Sequence, residues 1–440
     1  MTRLCLPIIS IITAMILQGC GGVGSSAPAP TVTNIVAADS SAIITFTATP
    51  GVEYWIFSAA ASSITPENCS SVSVTCRTLL GATSPATISG LTNGTTYSFT
   101  INGRTGGGKG GPGSPSVFAI PRLAGASWSE EPFTVTVNGN NLRGVTFGTV
   151  ATAPLFVAVS DAGKIFSSPD GIVWAPQNSG VGTSLNAVTY SNGIYMAVGA
   201  GGVVLTSGDA ITWTLQTSAT AVNTLELLAV AGNGAGGFVA TGANGRIINS
   251  TTNGTSWAVA TVNPNAGVNA LNGITFGNSK YVAVGAGGTL QTSTDGNTWL
   301  AGVWNGTPAA AALNGVAYAA TITADNGITY TTTGATFVVI GANGTLVTSP
   351  DGATWTLQTT PVTSSNLNAV AYGRQFVVVG DTGVIFTSAN GLSWTAPQTF
   401  APPTPRTSIN FLSVTGVTHN SVGGSSYSTV GTQGENWLSL

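Results

Sequence analysis

Charge is what this sequence has least of. Eleven basic and fourteen acidic side chains, with one histidine, are spread over 440 residues. That is 6% charged, against roughly 25% in ordinary soluble domains. No basic cluster is present, so the chain has no footprint for tracking phosphates, and nucleic acid is not an expected partner. The lone histidine, His419, would have to serve any Ser-His-Asp triad, and no nucleophile-elbow motif accompanies it. Four cysteines and one histidine give no metal-ligand cluster, so no metal is expected. Glycine-rich turns such as Gly285-Ala286-Gly287-Gly288 lead into strand-like segments, not helices; they read as hairpins, and no cofactor is expected. Beyond the N-terminus no apolar run approaches 18 residues, the length of a membrane-spanning helix. What is abundant is glycine (59) and tryptophan (10). With Phe, Val, Ile and Leu spread evenly, this suits a globular chain whose surface is Ser, Thr, Asn and Gly.

The first twenty residues read as a targeting segment. Arg3 supplies a minimal basic start, and residues 6–17 form an apolar stretch. It ends Leu17-Gln18-Gly19-Cys20, followed by a Gly/Ser/Pro tether over 21–30. This resembles the bacterial lipobox. The resemblance implies that Cys20 is diacylated and becomes the first residue after cleavage, anchoring an exported protein by buried methylenes. Gly21 is not the Asp that retains such lipoproteins at the inner membrane, which implies the outer membrane or cell surface. Cys69 and Cys76 remain, seven residues apart in an exported chain, and are expected to form a disulfide. Closing so short a loop contributes roughly 2 kcal/mol in the chain-entropy account.

Residues 31–122 alternate as strands should. Ile44, Phe46 and Ala48 fall on one face, with Ile43, Thr45 and Thr47 on the other; Pro50-Gly51 turns the chain into Glu53-Tyr54-Trp55-Ile56-Phe57. Farther on, Leu91-Thr92-Asn93-Gly94 leads to Tyr97, and a glycine-rich run over 106–113 follows. The Leu-to-Tyr spacing resembles the tyrosine corner of fibronectin type III domains, a fold of spacers and adhesive units. Their second-strand Trp is missing, and Phe46 is the expected core substitute.

From residue 124 to 440 the chain repeats itself. A unit reads Leu-Asn-Ala-Val-x-Tyr, then Phe-Val-Ala-Val-Gly, then Val-Leu-Thr-Ser, then a turn into Trp; residues 185–213, 271–299 and 367–394 show it best. Trp174, Trp213, Trp257, Trp299, Trp355, Trp394 and Trp437 mark seven units. Four short strands per unit is the grammar of a β-propeller blade. The expectation is an all-β chain: a fibronectin type III-like β-sandwich followed by a seven-bladed β-propeller, with six or eight blades as the neighbouring alternatives. Trp128 stands before Leu142 as Trp257 stands before Leu271, which suggests an outer strand that closes the ring and leaves Trp437 extra.

The turn before Trp reads Ser168-Pro169-Asp170-Gly171-Ile172-Val173-Trp174, with copies at Asp295 and Asp351 and looser ones at Asp209-Ala210, Asn253-Gly254, Asn390-Gly391 and Gln433-Gly434. Asp bonds the turn backbone, Gly takes positive φ, and Trp packs onto the hairpin. The turns resemble the Asp-box of BNR-repeat propellers, which include sialidases and photosystem II assembly factors, although they run one residue short. That resemblance implies a structural role for Asp170, Asp209, Asn253, Asp295, Asp351 and Asn390. Sialidase chemistry is not expected. Arg143, Arg246, Arg374 and Arg406 fall at mismatched repeat positions, and Phe118-Ala119-Ile120-Pro121 carries Ala where that family's Phe-Arg-Ile-Pro has its clamp. Asp161, Asp209, Glu226, Asp325 and Asp381 offer no recurring carboxylate pair for glycoside hydrolysis.

The sequence therefore reads as a cell-envelope lipoprotein, a non-catalytic binding or scaffold protein with an unknown protein or glycan ligand, touching the membrane only through its anchor. The alternatives are an assembly factor for a membrane complex or a carbohydrate-active enzyme. In a propeller, blade-to-blade loops and second-to-third-strand turns share one face, and the Asp-box turns lie on the other. On the first face Trp304 and Arg406 are the candidate anchors, being residue types that dominate interfaces. The lipobox reading predicts that Cys20→Ala blocks lipidation; membrane fractionation with radiolabelled palmitate should show unlabelled, unprocessed or released protein.

Overall fold

The structure, a computed structural model, describes residues 24–440 apart from 74, 123, 126–127, 132–140, 151–152, 223, 262–268, 307–308, 320–335, 359–362, 401–408 and 420–423. Cys20 and Arg406 thus lie outside the described residues. Two compact units emerge. One holds Ala42–Pro121 with the chain up to Ala37; the other holds Arg122–Leu440 with Ala38–Ser41.

The first unit is a β-sandwich. A three-stranded sheet, Val32–Ala38, Ser41–Phe46 and Ala86–Ser89, faces a five-stranded one that includes Glu53–Ala59, Arg77–Ala82 and Tyr97–Thr105. The alternating side chains interdigitate: Ile44, Phe46, Tyr54, Ile56, Phe99 and Ile101 are all buried in one cluster. Phe46 sits edge-on to Tyr54, with centroids 5.1 Å apart. The Tyr97 hydroxyl accepts a hydrogen bond from the Thr92 amide at 3.3 Å, the bond expected of the Leu91–Tyr97 corner. Cys69 and Cys76 are joined, their Cα atoms 5.5 Å apart.

The second unit is a propeller of seven four-stranded antiparallel blades, one of which gains a fifth strand. Blade 1 runs Leu142–Val150, Ala153–Ser160, Ile165–Ser168, Ala175–Gln177 from the channel outward. The inner strands of blades 2 to 7 are Leu185–Ser191, Leu227–Gly232, Leu271–Gly277, Leu313–Ala319, Leu367–Tyr372 and Phe411–His419. Each packs against the next, and the seventh against the first. Second strands such as Tyr195, Phe238, Tyr281, Phe337 and Phe376 bury aromatic rings between blades. The long interval between Trp299 and Trp355 falls where expected: Tyr318 pairs with Phe337 across the first hairpin of blade 5, and the extra residues lie between them.

Ring closure settles the count at seven. The last three strands, Phe411–His419, Gly424–Gly431 and Asn436–Ser439, receive their fourth from Ser129–Glu130 at the other end of the unit. Two expectations are corrected here. Trp437 lies on a third strand and does not mark a turn, and Gln433-Gly434 belongs to the second-to-third-strand turn Thr432–Gly434. The seventh Trp of the repeat is Trp128. Its turn is assembled from both ends of the unit. The Gly125 amide donates to Ser439 Oγ at 2.7 Å, and Trp128 Nε1 to the Gly125 carbonyl at 3.2 Å. In blade 1 the same bonds join Gly171 to Ser168 at 2.8 Å and Trp174 to Gly171 at 3.0 Å.

If this split turn is formed like the continuous ones, Ser439→Ala should destabilise, though by no more than Ser168→Ala does. Each strands a buried glycine amide at a cost of about 1–3 kcal/mol, and Ser168→Ala also removes the bonds to Asp170. Guanidinium denaturation should lower both midpoints, that of Ser168→Ala at least as far; a Ser439→Ala midpoint at the wild-type value would mean the split turn is not formed.

Candidate functional site at the channel mouth

In every blade the ladder between first and second strands slips by one residue at the same place, for instance between Leu185 and Ala187 or between Leu367 and Ala369. A bulge re-aims the extra side chain. The residues so placed are Arg143, Asn186, Leu228, Asn272, Asn314, Asn368 and Leu412, and all of them line the central channel. The four asparagines share one geometry. Their Nδ2 atoms donate to the carbonyl of the leucine or phenylalanine opening the next blade: Asn186 to Leu227 at 2.8 Å, Asn272 to Leu313 at 3.0 Å, Asn314 to Leu367 at 2.8 Å, Asn368 to Phe411 at 2.9 Å. Where blade 3 has Leu228, the Thr241 hydroxyl reaches the Leu271 carbonyl at 3.4 Å. In the seam from blade 7 to blade 1, Ser413 Oγ accepts from the Val145 amide at 3.1 Å. Channel-edge backbone groups, which no fifth strand can pair, are thus bonded by side chains from the neighbouring blade.

Also lining the channel are Val145, Val188, Val230, Ile274, Val316, Val370 and Val414, around a volume of about 220 Å³. That lies at the small end of ligand-pocket volumes, which begin at ~300 Å³. Arg143 is the one ionisable side chain among the lining residues. Its Nε donates to Asp161, which also accepts from the Asn141 amide and Nδ2. Glu226 accepts from Asn186 at 2.9 Å, and Asp381 from Asn366 and Asn368 at 3.0 and 2.8 Å. The rim is therefore a set of tethered carboxylates and carboxamides, suited to hydrogen bonding with an extended polar ligand.

Second-to-third-strand turns surround this mouth. Six are three-residue turns of one form, including Asp161–Gly163, Ala243–Gly245 and Ala342–Gly344. Each puts a positive φ at its second residue (Asn244 at 54°, Asn343 at 56°) and glycine third, where φ is near 70°. They are short, so the mouth stays open.

The Asp-box turns lie at the other end of the third strands. Asp170 Oδ1 accepts the Ile172 and Val173 amides, both at 2.9 Å, and the Ser168 hydroxyl. Asp209, Asp295, Asp351 and Asn390 repeat the pattern. Blade 3 departs from it: its turn is one residue longer, Thr252 Oγ1 takes the acceptor's place by binding the Ser256 amide at 2.9 Å, and Asn253 supplies the positive φ instead. Its Oδ1 accepts from Asn192 of blade 2.

Trp304 is not at the mouth. Val303–Trp304 adds in parallel to the outer strand of blade 5, opposite Thr354 and Trp355, and Trp304 is partly buried against the blade 4–5 core. The Asn305 amide fixes it to the Trp355 carbonyl at 2.7 Å. A connection long enough to lie along the next blade's edge pairs with it. The asparagine ring, by contrast, was visible as a repeated Leu-Asn pattern, but its purpose depends on the next blade.

No family model matches this chain, and no curated protein sequence resembles it. Solved structures share its fold. "YCF48 bound to D1 peptide" is 17% identical with a TM-score of 0.53, covering 73% of this chain and 99% of its own. YCF48 from Cyanidioschyzon merolae is 15% identical with a TM-score of 0.50, covering 71% and 98%.

The turn aspartates have an acid signature. The Thr298 amide, with that of Asn297, holds Asp295 down to about 2, and Thr212 with Ile211 does the same for Asp209. Folded values below the unfolded ~3.9 mean stability present above pH 4 and lost as pH falls through 2. Asp295→Asn keeps the acceptor, as Asn390 does in blade 6, and should remove part of that loss; Asp295→Ala should lower stability at neutral pH by about 1 kcal/mol. Thermal melts between pH 2 and 7 separate the two.

Proposed function

We propose that this chain is an exported, non-catalytic binding protein that holds a polypeptide segment at the channel mouth of its propeller, in the manner of an assembly factor for a membrane complex. The observation that carries it is the mouth itself: a ring of carboxamides, tethered carboxylates and open hairpin backbones around the channel. A solved propeller of the same fold is described as bound to a peptide, which supports a polypeptide ligand over a glycan. The polar lining offers hydrogen bonds, and its one guanidinium is engaged by Asp161. In this reading the sandwich is a fibronectin type III-like spacer, supported by its sheet orders and the Tyr97 corner. Cys20, acylated, tethers the whole to the outer membrane or cell surface.

Photo-crosslinking tests the reading. A benzoylphenylalanine at Asn244 or Asn343, both exposed on mouth-side turns, should capture a subunit of a membrane complex identified by mass spectrometry. The same probe at Asn297, exposed on an Asp-box turn, should not. Crosslinks only from Asn297, or saturable binding of glycans and of no peptide, would overturn it.

A further inference from the structure

In six blades the third and fourth strands are joined by a continuous turn. In blade 7 the segment 124–131 arrives from elsewhere in the chain, so it is held as a ligand is held. The Gln375 Nε2 donates to the Ala124 carbonyl at 2.6 Å, and Gly125 to Ser439 Oγ at 2.7 Å. Ser129 and Glu130 pair with Leu438 and Trp437, and the Glu131 amide donates to the Asn436 carbonyl at 2.9 Å. Trp128 is buried with Ala124 among Val377, Val379, Ile385, Phe411 and Tyr427, its ring 6.4 Å from that of Tyr427.

The site selects its occupant. Gly125 has φ +91°, and a β-carbon there would meet Gln375 Nε2 at 3.0 Å and Val377 Cγ2 at 3.1 Å, so glycine is required. Three residues on, the slot takes an indole whose N–H returns to the Gly125 carbonyl. The walls come from blades 6 and 7, and of the seven fourth strands this one can leave its slot without breaking the chain between it and its third strand.

We infer that blade 7 is a recognition site for a Gly-x-x-Trp segment, filled in cis by Gly125 and Trp128 and open to the same two residues of a second copy, giving a strand-exchanged dimer. Exchange replaces every contact by its equal, so no new interface is needed. The balance is set by chain concentration against the effective concentration of the tethered segment, on the order of 1 mM. The inference is independent of what the channel mouth binds.

Paired cysteines at Ser129 and Leu438, opposite each other in the ladder, report the occupant. In a Cys5→Ser, Cys20→Ser background, the Ser129→Cys/Leu438→Cys double variant refolded at about 1 µM should close within one chain. The two single variants, mixed in guanidinium and co-refolded, should give a covalent dimer linked through residues 129 and 438 by peptide mapping. Its yield should rise at least tenfold between roughly 10 and 500 µM, and Trp128→Ala in the Ser129→Cys partner should abolish it. If the double variant closes but the mixture yields no 129–438 link at any concentration, exchange does not occur. A double variant that does not close would refute the pairing itself.

Discussion

Every blade of this propeller has two apolar faces and must meet a neighbour on each, so the fold stands or falls on seven seams of equal quality. Five of them form between blades that each fold from one contiguous stretch of chain, and the other two flank blade 7. The remaining requirement, that blade 7 obtain a fourth strand from residues more than 300 positions away, is the constraint to which the ends of the unit are adapted. Ser439, Gly125 and Trp128 reproduce a turn that no continuous chain makes there. Ala124 shares a cluster with Val377 and Phe411, and Gln375 caps its carbonyl.

The two ends of the blades have divided their chemistry. At the Asp-box end, carboxylates face backbone amides, and those bonds lower their pKa and keep them ionised, so their charge serves the turn. At the mouth, carboxamides serve the seams, while the rim carboxylates of Asp161, Glu226 and Asp381 are held by asparagines and Arg143. A chain with so little charge can place several of its carboxylates in such fixed roles because Ser, Thr and Asn supply polar surface.

Much of this was legible beforehand. Period-two alternation, the Trp marks and the Ser-x-Asp-Gly turns gave strands, blades and turn roles, because each depends on residues within ten positions. The Cys69–Cys76 link was legible for the same reason. The reading failed where a one-residue insertion shifted a turn or where the interaction lay at a blade edge. Asn253 looked like a turn acceptor, but one inserted residue hands that role to Thr252. Trp304 looked like a free aromatic on a loop, and the edge of blade 5 takes it up as a fifth strand. Gln433-Gly434 resembled another Asp-box, yet it forms the turn between the second and third strands of blade 7.

The sequence by itself determined the all-β class, the repeat and the local turn chemistry, since hydrophobic period and side-chain-to-backbone bonds act over short distances. The spacing of Trp128 before Leu142 already pointed to the strand that closes the ring, but tertiary structure alone decided how that strand is held and why the recurring asparagine is there. Both answers lie across a seam. Asn314, for example, is explained by the carbonyl of Leu367, 53 residues on, which becomes its neighbour only when two finished blades stand side by side.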